Sequence, residues 1–165
     1  MDRKITKSLI AWKNSPNRKP LVLFGARQVG KTYSLLAFGK ENYREVVYFN
    51  FENNPRLWEI FADDLDTNRI ITALGALAGK DITKGETLII FDEIQAEPKA
   101  VTSLKYFCED NPEYHIVAAG SLLGVATNRS EMSFPVGKID ELTMFPLDYG
   151  EFLPALGEGS LKKMI

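Results

Sequence analysis

Residues 25–32 read GARQVGKT, directly after the apolar run LVLF. The stretch fits G-x-x-x-x-G-K-[ST] at every fixed position. A polyphosphate needs many hydrogen-bond donors converging on it. Side chains alone would crowd such a site, so backbone N–H groups serve, and these converge only where the chain curls into a concave nest. Gly25 and Gly30 permit the curl and a close approach of backbone to anion. The helix expected from Lys31 onward turns its unpaired N–H groups and positive dipole end toward the same point. Lys31 then reaches the outer phosphates, and Thr32 offers a hard oxygen to Mg2+. A plain glycine turn before a helix is the bland alternative. The context weighs against it, because the motif follows an expected strand and precedes an expected helix, as phosphate binding requires.

Some sixty residues later stands TLIIFDEIQ, residues 87–95. A strongly apolar strand ending in two adjacent carboxylates needs a reason, since carboxylates are costly beside apolar surface. In open α/β sheets ligands lie at the carboxyl ends of the strands. Asp92 is then expected to face the Mg2+ held at Thr32, through a water, while Glu93 orients or deprotonates the attacking water. Gln95 competes for the water-positioning role. Ser121, at the end of HIVAAGS, suits a γ-phosphate sensor and equally a turn serine or helix cap.

The rest of the chain alternates strands and helices. Helical spacing covers 2–14, the segment after Gly30 to about Gly39, 55–64 behind Pro55, 67–79 with Thr67 as cap, 98–109 and 148–156. Strand composition covers 21–24, 46–52, 87–93, 115–121 and, more weakly, 139–145. Such alternation means βαβ units, a mainly parallel α/β sheet and helices on both faces. Residues 121–137 lack a clear period and read as a surface loop. The 165 residues suit one domain, 1–165, with an N-terminal helix and linker (1–18), a nucleotide-binding core (19–157) and a C-terminal tail (158–165). A net charge of −2 supplies no global field for nucleic acid or anionic lipid. One cysteine excludes an internal disulfide, and no Cys/His cluster suggests zinc. The polar N-terminus and the lack of a long apolar run point to a cytoplasmic setting without a membrane.

Five segments in order, GARQVGKT, LIIFDEIQ, AAGSLLGVA, SFPVGK and FPLDYGEFL, closely resemble the ATPase domain of those AAA-type P-loop ATPases that usually carry a second, C-terminal domain of unknown function. The first two are the Walker A and Walker B motifs shared by many ATPases; the last three are more particular to this family. The resemblance covers residues 4–155. It implies a three-layer P-loop fold with an additional strand and a five-stranded sheet of order 5-1-4-3-2. It also implies ATP and Mg2+ as cofactors. Gly25, Ala26, Arg27, Gln28, Val29, Gly30, Lys31, Thr32 and Tyr33 would contact nucleotide, and Thr32 and Asp92 the metal. Glu93 would be the catalytic base, with Lys31, Ser121 as sensor, and Arg129 completing the machinery. Family members often carry Arg near 129 and near 138, where this chain has Lys138, a point charge and not a bidentate fork. Expected partners are ATP and ADP, a homo-oligomer, and an unidentified protein or the C-terminal domain, which these residues do not include.

The leading functional expectation is an ATPase whose hydrolysis drives a conformational switch. The alternative is a nucleotide-gated interaction module with little turnover. A kinase is disfavoured because 121–137 holds one arginine, Arg129, where an acceptor lid needs several. ATP over GTP rests on the resemblance and on the lack of a guanine motif. His115, the single histidine, reads as packed or surface, Cys108 as a buried small hydrophobe, and Arg56 and Arg69 as solvated. Trp12, Trp58, Phe61 and Tyr106 read as core or interface, with adenine stacking the alternative for Trp58.

Overall fold

A computed structural model describes residues 3–25, 30–120 and 134–144. The elements in chain order are α1 (Arg3–Lys13), β1 (Leu21–Gly25), α2 (Lys31–Asn42), β2 (Glu45–Asn50), α3 (Pro55–Ile60), α4 (Thr67–Ala78), β3 (Thr87–Asp92), α5 (Pro98–Asp110), β4 (His115–Ala119) and β5 (Asp140–Met144). A single 3-10 turn, Ile94–Ala96, joins β3 to α5. The expected helix at 148–156 and the loop at 121–133 fall outside the described residues.

The five strands form one sheet of order β2-β3-β4-β1-β5, which is the expected 5-1-4-3-2. Every pairing is parallel. Side chains alternate across the sheet, and both faces are apolar. Val22, Phe24, Val47, Phe49, Ile89 and Phe91 point to the face covered by α3, α4 and α5. Leu21, Leu23, Leu88, Ile90, Val117 and Ala119 point to the face covered by α1 and α2. Continuous apolar runs such as LVLF and TLIIF arise because a parallel sheet is buried on both sides.

The helix starts follow local chemistry. Asn54 caps α3 by accepting from the Leu57 N–H, with Pro55 in the first turn. Glu97 caps α5 in the same way ahead of Pro98. For α4 the cap is Asp66, which accepts from the Asn68 N–H, and not Thr67. Thr67 is buried, and its Oγ1 accepts from Asn111 Nδ2 at 2.6 Å, tying α4 to the end of α5. Helix α2 runs past Gly39 to Asn42. Gly39 lies there because a Cβ would stand 2.6 Å from Val46 Cγ2 and 3.0 Å from Leu88 Cδ2. The glycine lets α2 sit close against β2 and β3.

Smaller expectations change with packing. Arg69 is part-exposed but anchored: its Nη2 donates to the Ile60 and Asp64 carbonyls at 2.7 and 2.8 Å, and its Nε pairs with Asp64 at 2.8 Å. It fastens the turn between α3 and α4. Cys108 is half-buried and not a core residue. Trp58 donates to the Phe51 carbonyl at 2.6 Å and packs on the core, so its indole serves the fold.

Candidate functional site

In a parallel sheet all carboxyl ends lie on one edge. The ends of β1 and β3 therefore bring residues 25 and 92 to the same rim, separated by β4. Gly25 closes β1 and pairs with Met144 of β5. Gly30, at φ 86°, then turns the chain into α2. That value lies in the left-handed region, where glycine has no Cβ penalty. Ser34 N donates to the Gly30 carbonyl at 2.9 Å, which sets the first helical turn.

Lys31 and Thr32 leave this turn toward the end of β3. The Lys31 ammonium is buried, at 7% exposure, and donates to the Gly25 carbonyl at 3.0 Å. Burial pushes its pKa below the ordinary lysine value, and the fields of Glu93 and Asp92 oppose the shift. The ammonium is thus within the electrostatic reach of both acids. Thr32 Oγ1 donates to Asp92 Oδ2 at 2.7 Å. Two motifs sixty residues apart in sequence meet in that hydrogen bond.

Asp92 is buried at 4% exposure, so its carboxylate requires donors. Besides Thr32, the Tyr48 hydroxyl donates to Oδ2 at 2.5 Å, and the Glu93 N–H donates to Oδ1 at 2.9 Å. The end of β3 is buttressed on its other face by Phe51, Phe61 and Phe91, whose ring centroids lie 5.3–6.0 Å apart. The Phe51 N–H also donates to the Asp92 carbonyl at 3.0 Å.

Glu93 follows at φ 50° and ψ 44°. A non-glycine residue there carries a cost of about 1–2 kcal/mol, of the kind concentrated at functional sites. The left-handed turn ends the strand and leads into the 3-10 turn. Gln95, on that turn, donates from Nε2 to Glu93 Oε1 at 2.7 Å. The Gln95 Oε1 atom is buried and lacks a hydrogen-bond partner among the described residues.

Thr32 and Asp92 supply two hard oxygen donors in contact. No group of three or more His, Cys, Asp or Glu that could hold a metal occurs among the described residues. That donor set fits Mg2+, which keeps waters and phosphate oxygens and takes few protein ligands.

The structure therefore brings together Gly25, Gly30, Lys31, Thr32, Asp92 and Glu93. Tyr33, expected at the nucleotide, is 62% exposed on α2. Ala26, Arg27, Gln28, Val29, Ser121 and Arg129 lie outside the described residues. Lys138 precedes β5, at the strand amino ends, and its Nζ pairs with Glu109 at 3.3 Å. It sits at the opposite edge of the sheet from Asp92. A groove of about 750 Å3 lined by Gly75, Gly79, Lys80 and Tyr114 also lies at that far edge. Tyr48 was absent from the sequence expectations. Its one signal was a strand with a polar tip two residues before Asn50, uninformative without the register of β2 on β3.

The fold and the site define a P-loop α/β module. A family model described as an AAA domain matches residues 17–153, and the chain belongs to that family. It is an ATP-binding AAA module. Among solved structures, the Orc1 protein of Aeropyrum pernix in complex with DNA aligns at 15% identity with a TM-score of 0.48. The alignment covers 97% of this chain and 48% of that one, so this chain spans about half the length of Orc1 there. A comparison with curated proteins found no match. No helix among the described residues is long and apolar enough to cross a membrane.

Proposed function

We propose that this module hydrolyses ATP with Mg2+ and uses the reaction to drive a conformational switch. The observation that carries the reading is the 2.7 Å contact of Thr32 with Asp92, beside the buried Lys31 ammonium at the Gly25 carbonyl. Mg2+, when bound, would neutralise charge on the phosphate oxygens. Thr32 and Asp92 would hold it. Residues 25–33 would cradle the phosphates, with Lys31 on the outer ones. Glu93, set at the strand end by its left-handed turn, would orient the attacking water. Ser121 as γ-phosphate sensor and Arg129 as charge-stabilising residue belong to the proposal through the family resemblance.

The proposal extends to one domain over 1–165 and to ATP and ADP as ligands. It extends also to a homo-oligomer, with a protein partner or the family's C-terminal domain as receiver of the switch. A cytoplasmic setting without membrane or direct nucleic-acid contact completes it. The Gln95–Glu93 hydrogen bond favours a second reading, a nucleotide-gated interaction module with little turnover, because it engages the carboxylate that would face water.

Glu93→Gln separates the two readings. Phosphate release and binding of a non-hydrolysable ATP analogue are measured in parallel. The ATPase reading expects turnover to collapse while binding persists. A wild-type protein that binds ATP, releases no phosphate, and is unchanged by the substitution supports the gated module instead.

A further inference from the structure

We propose that Tyr48 is a positioning residue for the divalent cation: its hydroxyl fixes the Asp92 carboxylate against Thr32 before nucleotide and metal arrive. The inference rests on the proposed Mg2+-dependent site. Tyr48 lies on β2, the edge strand, opposite Ile90 of β3, while Asn50 lies opposite Asp92. Tyr48 and Asp92 are thus diagonal neighbours on the face covered by α2. A diagonal partner two residues along is within reach of a long aromatic side chain. The phenol spans that distance and ends 2.5 Å from Asp92 Oδ2.

Three donors orient the buried Asp92: Thr32 Oγ1, Tyr48 OH and the Glu93 N–H. Thr32 is itself an expected metal ligand, and the N–H is fixed by the chain. Tyr48 alone is a side chain whose one polar atom is spent on the ligands and which is no expected ligand itself. The ring is 38% exposed, so little core packing depends on it. Partners that orient a metal's ligands tune affinity, and their removal costs about 10–100-fold.

Tyr48→Phe keeps the ring and deletes the hydroxyl. Binding of a non-hydrolysable ATP analogue is titrated against Mg2+, and separately in EDTA. The expected result is a half-saturating Mg2+ concentration raised about 10-fold, with binding in EDTA unchanged. Mn2+ in place of Mg2+, followed by its paramagnetic resonance signal on the bound nucleotide, should show the same weakening without any turnover. An unchanged or lowered Mg2+ requirement overturns the proposal, because the hydroxyl would then be a bystander or a competitor. Equal losses with and without Mg2+ also overturn it, as a general packing role. If the wild-type protein itself shows no Mg2+-dependent binding, the underlying site reading fails, and this inference with it.

Discussion

Lowering the pH from about 7 to about 5 should weaken the fold through His115. The imidazole is 6% exposed at the start of β4. Its Nδ1 lies 2.7 Å from the Tyr43 hydroxyl, and the Trp12 and Tyr43 rings pack edge-on at 5.8 and 5.4 Å. Arg18 and Lys13 supply positive charge nearby. Burial first, then those two cations, pushes its pKa from 6.5 to about 4. The folded state therefore refuses a proton that the unfolded chain accepts. Stability from this group is full above about pH 6.5 and is lost as the pH falls toward 4. Linkage over that shift gives a loss of about 2 kcal/mol between about pH 7 and pH 5. His115 is the single histidine, so one imidazole resonance reports its titration without assignment. Urea unfolding of wild type and His115→Gln at both pH values removes the carboxylate background. The wild-type advantage should shrink by about 2 kcal/mol across the window. A resonance titrating near 6.5 in the folded protein, or an advantage independent of pH, would refute the reasoning.

Gly39→Ala should destabilise the protein by up to about 2 kcal/mol in urea unfolding: overpacking costs about 1–3 kcal/mol, and the gain in helix propensity returns about 1. Val46 is β-branched and cannot swing away from a methyl at 2.6 Å; an alanine variant as stable as wild type would mean α2 shifts freely. Glu93→Gln should lower ATP turnover by about 100-fold or more, the range for loss of a general base, while the analogue affinity stays within about threefold.

Much of the fold was legible because the two periods are physical. A sheet buried on both faces writes itself as unbroken apolar runs, and LVLF and TLIIF are β1 and β3. The order of the strands came from the family resemblance and not from periodicity, which carries no information on neighbours. The meeting of Lys31, Thr32 and Asp92 was legible because each sits at the end of an element, where the parallel topology gathers them. Tyr48 was not, since its contact depends on the register of two strands forty residues apart. Thr67 was taken for a cap, yet a buried partner, Asn111, claims its hydroxyl and leaves capping to Asp66. Lys138, which stands where family members often carry arginine, lies ahead of β5 on the far rim beside Glu109. In each case local chemistry was sound and a long-range contact decided the outcome.

In the proposed function, the rim between Gly25 and Asp92 binds a nucleoside triphosphate through Lys31. Thermal unfolding of wild type and Lys31→Ala, with and without ATP and Mg2+, addresses it most directly. A ligand at about 100 times its dissociation constant adds about 2.7 kcal/mol. For a chain of this size that is a rise of about 5–10 °C in the unfolding temperature. That rise is expected in wild type and none in Lys31→Ala. An equal rise in both proteins would place the nucleotide elsewhere and contradict it.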